Sequence, residues 1–175
     1  MAICNILTAG ISKTCDNNVG GIKELYLTEK ANVTAVTLAS PGDQINGLTM
    51  EAGTEFKKFE FNKNTSTFTE VTSYDQANGT ELCTQTITLF LTRREKTKRD
   101  ILLLLGKFKD LVAIIKDSND IYWYFGETNG LNLTEKNSET GTSKADRNGY
   151  TLTFTGEEPE DANEIEAAAV AAVIE

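Results

Sequence analysis

Histidine, the side chain that most often carries protons and binds metals near neutral pH, is absent from all 175 positions of this chain. Triads that need histidine and zinc sites built on imidazole are thereby excluded. Catalysis would fall to carboxylates, lysines or tyrosines, and the spacing singles out no such set. Cys4, Cys15 and Cys83 form no CxxC pair and no even framework, so free thiols are expected, a Cys4–Cys15 bridge being the alternative. Asp117, Asn119 and Asp120 have the oxygens of a calcium loop but lack its glycine and its closing glutamate; a hairpin turn is the expectation. The run 121–125, Ile-Tyr-Trp-Tyr-Phe, has the composition of a stacking platform for sugar or single-stranded nucleic acid, but a core strand with one aromatic face at an interface is the expectation. Arg93, Arg94, Lys96, Lys98 and Arg99 would suit nucleic acid, an acidic patch of an adjacent copy, or plain solvation of a helix face. The sequons at Asn32, Asn64, Asn78 and Asn132 follow from composition, and no phosphate-binding GxxxxGK occurs.

The elements that must carry these residues centre on positions 81–127, which read as strand, helix, strand, strand. Cys83, Ile87, Leu89 and Leu91 alternate with Thr84, Thr86 and Thr88, the period of a half-buried strand. Thr92 and Glu95 have capping-box spacing, which places a helix over 93–106 with Ile101, Leu104, Leu105 and Phe108 as its buried stripe and Gly106 as its stop. Two apolar runs, 111–115 and 121–125, are joined by a hairpin turn. Before this block, 22–28 and 33–38 read as strands about a turn at 29–32, turns are expected at Pro41-Gly42-Asp43 and Asn46-Gly47, and 48–50 reads as a short strand. Residues 56–62 and 67–74 read as one hairpin. After it, 127–148 reads as a long surface loop with a little strand at 131–133, and Tyr150, Leu152 and Phe154 alternate with threonines in a last strand. The alanine-rich stretch 161–174 has helix propensity and few large apolar residues, the pattern of a frayed tail or of a helix docking on a neighbouring subunit.

Closely spaced strands, one good helix and no βαβ alternation predict a mainly β chain, an antiparallel β-sandwich or open barrel with one flanking α-helix. The expected division is an N-terminal arm (1–20), the sandwich domain (21–156) with its helix at 93–106, and an acidic C-terminal tail (157–175). Seven acidic residues and no lysine or arginine follow Asn148, so −7 of the net −9 lies there and −2 in the rest. Such a balance disfavours binding nucleic acid through its phosphates. No run is apolar enough to span a bilayer and the N-terminus lacks a basic leader, so a soluble protein made in a cytoplasm is expected, with no membrane partner.

The segments CDNNVGGIKELYL, TRREKTKRDILLLL, IYWYFGETNGLNLT and DRNGYTLTFTGEEP resemble small virion proteins of tailed phages and prophages of Bacteroidetes hosts, crAss-like phages among them. The resemblance covers about 15–159 and implies a tail-tube or tail-ring subunit. Implied with it are a β-sandwich flanked by one helix, homo-oligomeric rings around a DNA channel, other tail or neck proteins as partners, and DNA passing without specific binding. It implies neither catalysis nor cofactor nor metal, and a place in the virion tail. The residues proposed for the subunit interface are Thr84, Thr86 and Thr88, whose hydroxyl face suits pairing between copies, with Arg93, Arg94, Lys96, Trp123 and Tyr124. A carbohydrate-binding or adhesion module of a virion, using Trp123 and nearby tyrosines, is the alternative; an enzyme is the weakest reading.

Overall fold

The computed structural model describes residues 10, 11, 13, 15–40, 44–107 and 110–175. The expected turn at 41–43, Phe108, Cys4 and most of 1–14 lie outside them. The chain is mainly β, two sheets with one flanking helix. In chain order come β1 (Ile22–Glu29), β2 (Val33–Leu38), β3 (Ile45–Met50), β4 (Lys57–Lys58), β5 (Thr67–Asp75), β6 (Thr80–Thr92), α1 (Lys96–Leu105), β7 (Leu111–Asp117), β8 (Tyr122–Phe125), β9 (Asn132–Glu139), β10 (Gly149–Glu158), β11 (Asn163–Ile165) and α2 (Ala167–Ala171). A seven-stranded sheet has the order β2-β3-β11-β8-β7-β1-β4, and a four-stranded sheet the order β5-β6-β10-β9.

Alternation decides which side chains meet between the sheets. Cys83, Ile87, Leu89 and Leu91 of β6 and Tyr150, Leu152 and Phe154 of β10 point inward, where most of them pack with Leu25, Leu27, Leu111, Ala113, Ile115 and Phe125 of the other sheet. The apolar run at the start of β7 is buried on both faces, because Val112 and Ile114 turn away into a second cluster with Tyr26, Ile45, Phe56, Tyr124, Ile165 and Val170. A curl of the larger sheet makes room for that cluster. Only the short turn Lys30–Asn32 joins β1 to β2, yet four strands lie between them in the sheet. Across a flat sheet that distance would be about 24 Å at the usual strand spacing of about 4.8 Å. Three linking residues reach about 14 Å at most.

Several pairings differ from the sequence reading. Strands β1 and β2 do not pair; β1 pairs β7 and β4, while β2 pairs β3. Asn46-Gly47 lies inside β3 and makes no turn. Residues 56–62 contribute only the two-residue β4, and β5 pairs β6 around Ala77-Asn78-Gly79. The expected loop holds β9, a full strand paired with β10. The capping box does not form: Thr92 ends the strand, Arg93 takes φ 62°, and α1 begins three residues later than expected, with no side chain capping it. The bend at Arg93 is pinned by its N–H, which donates to the Asn148 carbonyl at 2.7 Å.

The largest correction concerns 157–175, which is no tail. Strand β11 lies between β8 and β3, parallel to β3 and antiparallel to β8, and α2 buries Ala169 and Val170 in the second cluster. The crossing from β10 to β11 is held by Glu158, only 3% exposed. Its carboxylate accepts the N–H groups of Thr128, Asn129 and Gly130 at 2.9, 2.8 and 3.0 Å. Replacing it by alanine orphans three backbone donors, so Glu158→Ala is expected to cost about 3 kcal/mol in urea unfolding. A loss below about 0.5 kcal/mol, the scale of an ordinary surface change, would show that the loop does not depend on it.

Candidate self-assembly surface

Helix α1 follows from KTKRDILLLL, ten residues that are mostly good helix formers and whose apolar half falls in the last turns. It buries one of its residues, Leu102. Ile101 is 50% exposed, Leu103 42% and Leu104 55%. The expected buried stripe of Ile101, Leu104 and Leu105 is therefore corrected: the face turned to the body runs Lys98, Ile101, Leu102, Leu105. These four line a groove of about 800 Å³, whose floor includes Leu27, Leu91 and Leu111 and whose far wall carries Lys57, Lys58 and Phe59. Only β4 flanks β1 on that side, pairing with it at Tyr26 and Leu27. Gly106 ends the helix with φ −70°, an ordinary right-handed conformation, so the stop owes nothing to glycine's left-handed freedom.

Arg93, Arg94 and Lys96 come together at the start of this helix, all exposed. Arg94 caps the ring of buried Tyr150, and Arg147 from the β9–β10 loop caps Phe90, at 5.9 and 5.1 Å. Within the helix Lys96 pairs with Asp100 and Lys98 with Glu95 at 3.3 and 3.0 Å. Thr84, Thr86 and Thr88 lie together elsewhere, half-buried on the outer face of β6. Their backbone is paired on both sides, to β5 and to β10, so they form a hydroxyl surface and not an open strand margin.

Trp123 and Tyr124 are not with the others. Strand β8 is interior to the larger sheet, between β7 and β11. Trp123 packs against the intersheet core and its indole N–H donates to Asp117 at 3.4 Å. Tyr124 is buried edge-on to Phe56, with ring centroids 6.5 Å apart, and burial pushes its hydroxyl pKa up. Tyr124, buried in the sheet, offers no free face to a sugar or a base, while Trp123 is half-buried. The Asp117–Asp120 segment is a hairpin turn: the Asp117 carboxylate accepts the N–H groups of Asn119 and Ile121, and Asp120 pairs with Lys23 and Lys116.

At the other end of β6, Glu70, Cys83 and Asp161 lie with their ligand atoms within 4.8 Å of one another. The geometry there is that of a latch. Glu70 accepts the Ala162 N–H at 2.7 Å and the Gln85 side-chain amide at 3.2 Å, and Thr72 donates to Asp161. Burial pushes the Cys83 thiol up to about 11, which keeps it protonated and a poor metal ligand or nucleophile. The two ends of β6 thus carry opposite excesses of charge, although Glu95 and Asp100 pair with lysines at the basic end. Asp75, Glu81, Glu157 and Asp161 gather where β6 begins, and the arginines and lysines of 93–99 where it ends. Thirteen residues of strand put about 40 Å between the two. The exposure of α1 was not legible in the sequence, since the apolar spacing that marks a helix does not say whether its partner lies in the same chain.

Comparison of the chain with protein-family models, with curated proteins and with solved structures found no match. Among the described residues no helix is long and apolar enough to cross a membrane.

Burial raises the Glu70 pKa above the ordinary glutamate value, against the lowering by its hydrogen bonds. Its raised folded pKa means that the folded state takes a proton more readily than the unfolded chain. The stability this brings is present below the unfolded glutamate pKa and is lost as pH rises through the folded one. Glu70→Gln, which keeps both acceptor contacts, is expected to raise the urea midpoint at pH 7 and to lose that advantage as acid protonates the parent. A variant equally destabilised at both pH values would show that the charge itself is needed.

Proposed function

We propose that the chain is a non-enzymatic structural subunit that joins copies of itself head to tail into a ring or stacked rings. The resemblance to tail-tube and tail-ring proteins supplies the setting: a phage tail, with neck or other tail proteins as neighbours and a channel through which DNA passes. The observation that carries the proposal is the exposure of Ile101, Leu103 and Leu104 beside an apolar groove. A helix of ten residues is marginal in water. This one is tethered by a single buried side chain, and five successive apolar residues leave it without a solvated face over its last turns. Burial against a second copy would remove that surface from water.

The charge sorting argues for two different patches meeting. In a two-fold contact centred on α1, the cluster Arg93, Arg94, Lys96, Lys98, Arg99 would face its own copy and repel it. Head-to-tail placement brings it to the acidic end of the next subunit, an attraction that salt weakens. A chain of net charge −9 has no surplus of cations with which to hold DNA phosphates, which suits a channel wall that DNA slides along.

The test is sedimentation and negative-stain microscopy of the full chain over a range of concentrations. Oligomers of uniform ring size are expected, weakening at high salt. Leu104→Glu should dissociate at concentrations about ten to a hundred times higher than the parent while keeping its circular dichroism, the penalty of a charge in an apolar contact. A chain that remains monomeric at every concentration, alone and with its virion partners, would sink the proposal.

A further inference from the structure

If copies do join head to tail, something must fill the groove between α1 and β1, and we infer that its occupant is the N-terminal arm of the neighbouring copy, residues 1–12. Three observations lead there. The first is chemical: these twelve residues carry no charged side chain in a protein where 25% of residues are charged, and they include Met1, Ile3, Ile6, Leu7 and Ile11. An uncharged, apolar-bearing segment is what a groove floored by Leu27, Leu91 and Leu111 accepts.

The second is where the arm leaves the body. Val19 donates its N–H to the Asn119 side chain at 2.9 Å, and Asn119 donates in turn to Asn18 at 3.0 Å. The arm is thereby tied to the β7–β8 turn, at the Ile22 end of β1. The groove opens at the other end of β1, around Leu27, Thr28 and Glu29, about 20 Å along an eight-residue strand. The root of the arm and the groove thus lie at opposite ends of β1, so in a head-to-tail series the arm of one copy can meet the groove of the next. The third is reach. Gly10 and Ile11 are exposed, Ile11 completely, and every described residue from Gly10 to Gly20 is exposed. Fully extended, eleven positions span at most about 35 Å, enough to reach a neighbouring copy.

The experiment uses two full-length variants, one disabled in the arm (Ile6→Asp with Leu7→Asp) and one in the groove (Ile101→Glu). Circular dichroism and urea unfolding matching the parent establish that each folds. Neither is expected to assemble alone, because each lacks one half of the contact. Mixed in equal amounts they should form a capped one-to-one pair, the intact arm of the groove variant seated in the intact groove of the arm variant. An arm variant that assembles like the parent overturns the inference, and leaves the head-to-tail reading standing if Leu104→Glu still dissociates. Two monomeric variants that fail to pair on mixing overturn it as well.

Discussion

The fold depends on one crossing, where the chain leaves the four-stranded sheet at Glu158 and enters the seven-stranded sheet at Asn163. Without β11 the larger sheet falls into two pieces, β2-β3 on one side and β8-β7-β1-β4 on the other. A three-residue strand supplies few backbone bonds of its own, so side chains fix the crossing. Glu158 gathers the N–H groups of the 128–130 loop, Glu70 takes the Ala162 N–H, and Gln85, fully buried on the inner face of β6, accepts the Gly126 N–H at 3.0 Å. Gly126 has φ 77°, and a Cβ there would lie 2.9 Å from the Leu111 carbonyl, so the loop can approach the sheet this closely only with glycine. These buried polar groups link the two sheets at one place and specify which strand enters the gap. An apolar contact would permit slippage there.

The same crossing explains why the acidic charge is not a solvated appendage. Glutamates at 157–166 flank a segment that must lie in a sheet, and alternation sends Glu158 and Ile165 inward while Glu157 and Glu164 stay exposed. Helix α1 contributes Leu102 and a half-buried Leu105 to the intersheet core and nothing to the second cluster. The body is therefore stable through its sheets, while the helix is an addition whose own apolar surface is mostly unspent. Local preference and tertiary packing agree along β6, β7 and β10 and part company at this helix, the kind of place where function is expected.

Strands with one clean apolar face were legible in the sequence. Strands β6 and β10 alternate, and β7 and β8 are apolar runs bounded by a turn whose Asp117 caps its own hairpin. What stayed hidden has a common cause. Strand β9 reads NLTEKNSE because it is an edge strand that buries almost nothing, so no hydrophobic period marks it. Strand β11 reads NEI because three residues are too few to show a period, and its neighbours β3 and β8 are far away in sequence. Pairing partners were misassigned for the same reason. Proximity along the chain suggested β1 with β2 and 56–62 with β5, whereas the curl of the larger sheet decided otherwise. At α1 the apolar positions were recognised and their phase was not, because a helix with apolar residues at five successive positions, 101–105, has no unique stripe.

The distribution of polar residues over the margins bears on how copies can meet. Strand β5 carries Thr67, Thr69, Glu70 and Asp75, and β9 carries Glu135, Lys136 and Glu139. Exposed edges of this composition resist adding a further strand, since each new pair would bring charges together and strip water from them. Joining through such edges is therefore weak unless the partner presents complementary charge. An apolar groove and a helix flank have no such resistance, and their burial is favourable in proportion to area. If copies join as proposed, α1 and its groove would be favoured over these two edges, though the uncharged edge strand β2, VTAVTL, lacks their resistance. The threonine face of β6 is left to pack where neither charge nor exposed hydrocarbon opposes it.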